Sequence, residues 1–422
     1  MFLTYRILTT LLFPFFVVFI YVRKFTGKED QKSYKEKIFA VPFEGGKNDK
    51  QRKLIWFHAA SIGEVTSIIP LLKNFRTIDK DFKFLITTVT LSSGRIIENE
   101  LVNNENVFHQ YFPLDTYHLA KKFLNLWKPD LAVFVDSEIW PNFIFQIKKK
   151  NIPLVLVNAR ITKKTLKRWK FLNLFSKHIF SCFDLCLSSS KESENNLKIL
   201  GVNKILFYGN LKFTIKNKSL EIKKENKNIL NDKKVWLASS THKGEELICL
   251  KTHNLLKKNY SNAITIIAPR HISRVKEIKK LADSMKLKCQ ILNEDDLIDQ
   301  QAEILIINSF GILSKYFNYC KSVFIGKSMI KKLISVGGQN PIEAAKQGCK
   351  IYHGPYIYNF QEVYEYLEKY NVSKKIHNFD ELFLHLDADF KNNIAKKNLK
   401  SIEEYGEKIL YKSAEALTQL IK

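Results

Sequence analysis

The cysteines carry no pairing signature. The 6 Cys include no C-x-x-C pair, and no His lies at ligand spacing from one. That argues against a disulfide framework and a Cys/His metal site. Thiols in or beside apolar runs, such as Cys182, Cys186 and Cys349, read instead as reduced, buried groups of the cytosol. There are no internal repeats beyond one alternation of strands and helices. Aromatic residues fall inside apolar segments rather than among basic clusters, which weakens a nucleic-acid reading despite the charge. Acidic residues are scarce, with 42 Asp and Glu against 68 Lys and Arg, for a net charge of +26. Half of that bias reads as a Lys-rich habit of composition. The rest suggests an anionic membrane surface or a phosphorylated ligand.

Only one stretch is long and apolar. "ILTTLLFPFFVVFIYV", Ile7 to Val22, follows Arg6 and precedes Arg23, Lys24 and Lys28. It is just short of the ~20 residues that a full span prefers. No small-residue cleavage site follows, which argues against a removed signal peptide. Positive charge after the run places the remaining chain on the cytoplasmic side, with the run as either a short span or an interfacial anchor. The chain therefore divides into an anchor (1–28), a first domain (35–215), a polar linker (216–233), a second domain (234–400) and a C-terminal helix packing back across the domains (401–422).

Short apolar strands alternate with amphipathic helices through both domains. The first carries strands near 53–57, 83–89, 131–136, 153–158 and 185–189. The second carries them near 235–240, 263–269, 289–293, 304–308, 322–326 and 350–354. Near-continuous apolar strands separated by helices imply parallel sheets covered on both faces. The expected fold is α/β: two doubly wound, Rossmann-like domains facing a cleft, with ligands beyond the C-terminal strand ends.

The strand exits hold the unusual residues. After the first comes "HAASIGEV", with His58, Ser61, Gly63 and Glu64. Ser61 and Glu64 have the spacing of a capping box, while the glycine beside a carboxylate suits a general base facing a cleft. "SEIWPN" puts Glu138 at a corresponding exit, either dipole-favoured or facing the same space. "VNAR" offers Asn158 and Arg160, and "GNLK" offers Asn210 and Lys212; the Arg and the Lys suit ion pairs with the two carboxylates, or an anionic sugar or phosphate. In the second half, Ser240 and Thr241 of "SSTHKGEE" can cap a helix whose N-terminus suits an anion. Arg270 follows a strand in "APRH". "SVGGQNPIEAAKQG" has two glycines that allow close backbone approach to phosphate, then Asn340, Pro341 and Glu343 opening a helix. His109, His118, His253 and His377 show no mutual spacing and read as core or surface residues.

The ordered set "HAASIGEV", "YFPLD", "SEIWPN", "VNAR", "GNLKF", "STHKGEE", "APRH", "GGQNPIEAA" and "HGPYIYNF" resembles the Kdo transferases over nearly the whole chain. The resemblance implies a two-domain GT-B glycosyltransferase that moves Kdo from CMP-Kdo to the lipid A precursor (lipid IVA). Transfer would proceed with inversion and no metal, at the cytoplasmic face of the inner membrane. Glu64 matches the family's general base, and Glu138 and Lys212 match residues that support the transition state. Pro269 and Arg270 match the CMP-contacting pair, and Asn340, Pro341, Ile342 and Glu343 match the nucleotide segment. Phe310, Gly311 and Ile312 stand where the family usually has Met-Gly-Glu, so a carboxylate contact at Ile312 is lost. The expected partners are CMP-Kdo, the lipid A precursor and the anionic membrane surface, with no nucleic acid. A membrane-associated GT-B transferase using another nucleotide sugar and lipid acceptor is the alternative.

Overall fold

A computed structural model describes residues 2–41, 52–101, 106–215, 221–309, 311–392 and 400–421. They fall into two compact units, residues 1–215 with 404–422, and residues 216–403. The first unit holds strands β1 (Leu54–His58), β2 (Lys83–Thr88), β3 (Val107–Tyr111), β4 (Leu131–Val135), β5 (Leu154–Ala159), β6 (Leu185–Ser188) and β7 (Ile205–Phe207). They pair in the order β3-β2-β1-β4-β5-β6-β7, and every pairing is parallel. The second unit holds β8 (Lys234–Thr241), β9 (Ala263–Pro269), β10 (Cys289–Leu292), β11 (Ile304–Ile307), β12 (Ser322–Ile325), β13 (Lys350–His353) and β14 (Ser373–Lys375). Their order is β10-β11-β9-β8-β12-β13-β14, again all parallel.

The central strands are buried throughout, which is why they read as unbroken apolar runs. Three strands were not read from the sequence: β3 ("VFHQY") and β14 ("SKK") carry no such run, and β7 ("ILF") is only three residues long. All three are sheet edges and are held by backbone pairing along one side. In each unit the strand order reverses beside the first strand, between β1 and β4 and between β8 and β12. Doubly wound sheets open a crevice at that point. The first unit's core gathers on Trp56, which packs against Phe112, Phe123, Phe134 and Phe143.

The apolar N-terminus is two helices rather than the single one expected from 7–22. Phe2–Leu11 and Phe13–Phe25 meet at a 49° bend. Pro14 is the cause, since it has no N–H to offer the preceding turn. Among the described residues no single helix is long and apolar enough to cross a membrane; this bent pair meets the length and composition together. The first helix docks on its unit. Phe2 packs on Phe145 at 3.9 Å between ring centroids, and the Tyr5 hydroxyl donates to Asp115 Oδ2 at 2.8 Å. Asp115 in turn accepts from the backbone N–H groups of Asn142 and Phe143. It thereby fixes the start of the helix Pro141–Lys149, immediately after Glu138.

Candidate active site

Glu64 and Glu138 leave adjacent strands at the first unit's switch point, Glu64 after β1 and Glu138 after β4. Glu64 lies in the first turn of the helix Ile62–Ile78. The capping box expected of Ser61 and Glu64 does not form. Ser61 makes no side-chain bond to the helix backbone; its hydroxyl donates to Glu64 Oε1 at 2.7 Å. Glu64 Oε2 accepts from the Ala60 N–H, also at 2.7 Å. The Ser61 hydroxyl and the Ala60 N–H together hold one carboxylate in place. A Cβ at Gly63 would meet nothing within 4 Å, so the space beside Glu64 is open.

Burial pushes the Glu64 carboxyl up to about 7, and the negative charges of Glu138 and Asp136 add to the rise. The bonds from Ser61 and Ala60 oppose it. Glu138 behaves oppositely. Burial alone would raise it, but His58 and Trp140 hold it below its ordinary range. The Trp140 indole N–H donates to Glu138 Oε2 at 2.8 Å, and His58 Nε2 lies 3.2 Å from the same oxygen. His58 is fully buried, bonded at Nδ1 to the Thr87 hydroxyl (2.9 Å) and stacked on Phe112 at 3.9 Å. Two neighbouring carboxylates are thus driven apart, one toward neutral pH and one kept ionised.

Lys212 joins this cluster. It sits in the short 3-10 turn Leu211–Thr214, whose position depends on two asparagines. Asn158, at a positive φ of 51°, accepts from the Leu211 N–H, and Asn210 accepts from the Lys212 N–H. Both asparagines therefore hold the loop that carries Lys212. Burial lowers the Lys212 ammonium, against the attraction of Asp136 and Glu64. Asp136 is the residue that sequence reasoning missed. It directly follows β4 at a φ of 59°, its charge is felt by Glu64 and Lys212, and its own carboxyl is raised by burial against the pull of Lys212 and Arg160. A carboxylate closing an apolar strand was the available signal.

In the second unit the described nucleotide residues follow the C-terminal ends of strands. Pro269 ends β9, and Arg270 follows it, exposed, its N–H bonded to the Thr241 carbonyl. Gly311 takes a φ of 79° with open space where a Cβ would stand. Ile312 is buried, which suits an apolar residue in a place the resemblance gives to Glu. Phe310 lies outside the described residues. The Asn340 side chain accepts from the Ile342 N–H, Pro341 and Ile342 are buried, and Glu343 is exposed in the first turn of Ile342–Lys346. That helix contacts Leu313–Phe317, which brings the 311–312 and 340–343 segments together.

Two expectations here are corrected. Ser240 and Thr241 do not cap a helix. A bulge between Ser239 and Thr241, with Ser240 at a φ of 55°, keeps them in β8, and Gly244 precedes the helix Glu245–Asn259. The anion at that helix start is the chain's own Glu245, 0% exposed, which accepts from the N–H groups of His242, Lys327, Ser328 and Met329. Likewise, a Cβ at Gly337 would stand 2.3 Å from the Tyr356 carbonyl oxygen, so that glycine admits the chain's own backbone.

A reversing parallel sheet in each unit, with paired carboxylates at the first unit's crevice, is a GT-B-like architecture. A solved glycosyltransferase from Rickettsia africae shares the fold at a TM-score of 0.61 and 12% identity, over 88% of this chain and 99% of that one. The family model for 3-deoxy-D-manno-octulosonic-acid transferase (kdotransferase) matches residues 32–215, a span that contains Glu64, Glu138 and Lys212. The 3-deoxy-D-manno-octulosonic acid transferase of Rickettsia bellii is 31% identical, covering 99% of this chain and 97% of its own length. The enzyme of the same name from Rickettsia prowazekii is 27% identical over the full length of both. The chain belongs to the 3-deoxy-D-manno-octulosonic acid (Kdo) transferase family.

Proposed function

We propose that the chain transfers Kdo from CMP-Kdo to the lipid A precursor in lipopolysaccharide biosynthesis, with inversion at the anomeric carbon and Glu64 as general base. The observation that carries this reading is the split between two neighbouring carboxylates. Glu64, pushed up to about 7 by burial and beside open space, is poised for proton transfer near neutral pH, where a base is most effective. It takes the proton of the acceptor hydroxyl as that oxygen attacks the anomeric carbon, and CMP leaves as an anion. Glu138, kept ionised by His58 and Trp140, stabilises the positive charge that develops on the sugar ring. Lys212, with Asp136 beside it, supplies a cation for the Kdo carboxylate.

Arg270 with Pro269, Gly311 with its neighbours Phe310 and Ile312, and Asn340 through Glu343 hold the CMP moiety. The described ones follow the C-terminal ends of strands in the second unit's sheet, which supports that reading. The bent apolar pair anchors the enzyme to the inner membrane, with Arg23, Lys24 and Lys28 on the cytoplasmic side. The test is product mass spectrometry after incubation with the lipid A precursor and a CMP-Kdo generating system. A product heavier by one or more Kdo residues is expected. Transfer from a UDP-sugar, and none from CMP-Kdo, would instead favour the other nucleotide-sugar reading.

A further inference from the structure

The first unit carries a charged, apolar elbow that the chemistry above does not use. Two helices, Lys163–Phe171 and Asn173–Phe180, meet at Leu172. Their inward residues are committed to the core: Phe175, Ile179 and Phe180 are part of it, and Leu166, Trp169 and Leu172 pack against it. Phe171 and Leu174 are not needed there and point outward, 90% and 78% exposed. These are two large apolar side chains at the tip of a turn, where a soluble surface would place polar ones.

The charge around them is of one sign. Lys164, Lys167, Arg168, Lys170 and Lys177 are all exposed on these two helices. No Asp or Glu occurs anywhere from Ile139 to Phe183. An apolar tip ringed by cations is the pattern of an element lying in the headgroup region of an anionic bilayer. The elbow also adjoins the docked N-terminal helix, since the Tyr5 and Phe175 rings are 5.8 Å apart. On that helix Leu3, Ile7, Leu8 and Leu11 are exposed as well.

We propose that this elbow is a second membrane-docking surface, in which Phe171 and Leu174 enter an anionic lipid layer and the surrounding Lys and Arg side chains contact its headgroups. It is separate from the anchor. It goes beyond the sugar-transfer reading, resting on that reading only for the inference that the substrate is lipid-borne. Contact at the elbow would give the first unit a second point of attachment besides the apolar N-terminus.

The test uses the full chain with Asn173→Cys, an exposed position between the two apolar residues, carrying an environment-sensitive fluorophore. A sample lacking the new cysteine and treated identically gives the background from the native thiols. On vesicles containing phosphatidylglycerol the emission is expected to shift to the blue, with high salt reversing the shift. The same label in a Phe171→Ser/Leu174→Ser background is expected to lose it, with a fall of about tenfold or more in vesicle affinity. Emission that stays aqueous while flotation shows the protein bound to vesicles would overturn the proposal. So would an equal shift on neutral phosphatidylcholine, or a shift caused by a soluble acidic polypeptide and not by vesicles. None of these readings requires turnover, so failure of sugar transfer leaves the outcome separately legible.

Discussion

Replacing Ser61 by Ala probes how Glu64 is set for its proposed role. Ser61 donates to Glu64 Oε1 at 2.7 Å, and that bond favours the ionised carboxylate. The other groups acting on Glu64 are the Ala60 N–H, which also favours the charge, Glu138 and Asp136, which oppose it, and Lys212, whose positive charge attracts it. Ser61 is exposed, so water replaces part of the lost bond, and the net loss is about 1 kcal/mol. That corresponds to a rise of roughly 0.7 in the Glu64 pKa. From a starting value of about 7, the ionised fraction at pH 7 falls from one half to roughly one sixth. The rate of transfer at pH 7 is then expected to drop about threefold, with most of it restored as the pH rises by two units. The assay is the pH profile of kcat for both proteins with acceptor in excess. If the two profiles superimpose, or if the Ser61→Ala loss persists unchanged at high pH, the bond does not tune a catalytic base.

Glu64→Gln is expected to make stability less dependent on pH. The carboxyl titrates near its ordinary value of 4.5 when unfolded and about 7 when folded, so the fold favours its protonated form. That contribution is complete below about 4.5 and is lost as the pH rises through 7. Chemical denaturation should therefore find the Gln variant more stable by up to about 2–3 kcal/mol at pH 8, and little changed at pH 4.5. Glu245→Gln should destabilise the second unit by about 3 kcal/mol, because an amide nitrogen cannot accept from the N–H groups of residues 327–329; thermal unfolding measures it. Gly337→Ala should cost about 1–3 kcal/mol by the same assay, since its Cβ would collide with the Tyr356 carbonyl.

The buried centre of each sheet was legible because strands covered on both faces must be apolar along their length. β1, β4, β5, β9 and β11 all read that way. The edge strands β3 and β14 were not, since backbone pairing on one side leaves their composition free, as "SKK" shows, and β7 ("ILF") is too short to stand out. Carboxylates at strand exits could be found from sequence because an apolar run followed by Gly and Glu is unusual. Their roles could not. Ser61 and Glu64 have the spacing of a capping box, and only the direction of the Ser61 hydroxyl separates a cap from a carboxylate held for chemistry. Asp136 was taken as the end of a strand, and its tie to Glu64 and Lys212 appears only when β1 and β4 lie side by side. The helix start after "SSTHKG" and the glycine at Gly337 were read as places for a ligand because close approach and a free helix start look the same in sequence, whether a phosphate or the chain's own Glu245 and backbone fill them.

The most direct test of the proposed mechanism is a comparison of wild type and Glu64→Gln. Each would be assayed for CMP-Kdo binding by calorimetry and for single-turnover transfer to the lipid A precursor by mass spectrometry. The expected result is binding within about twofold of wild type and transfer slowed by at least ~100-fold across the pH range, as loss of a general base requires. Transfer by the Gln variant at close to the wild-type rate, with binding intact, would contradict the assignment of Glu64 as the base.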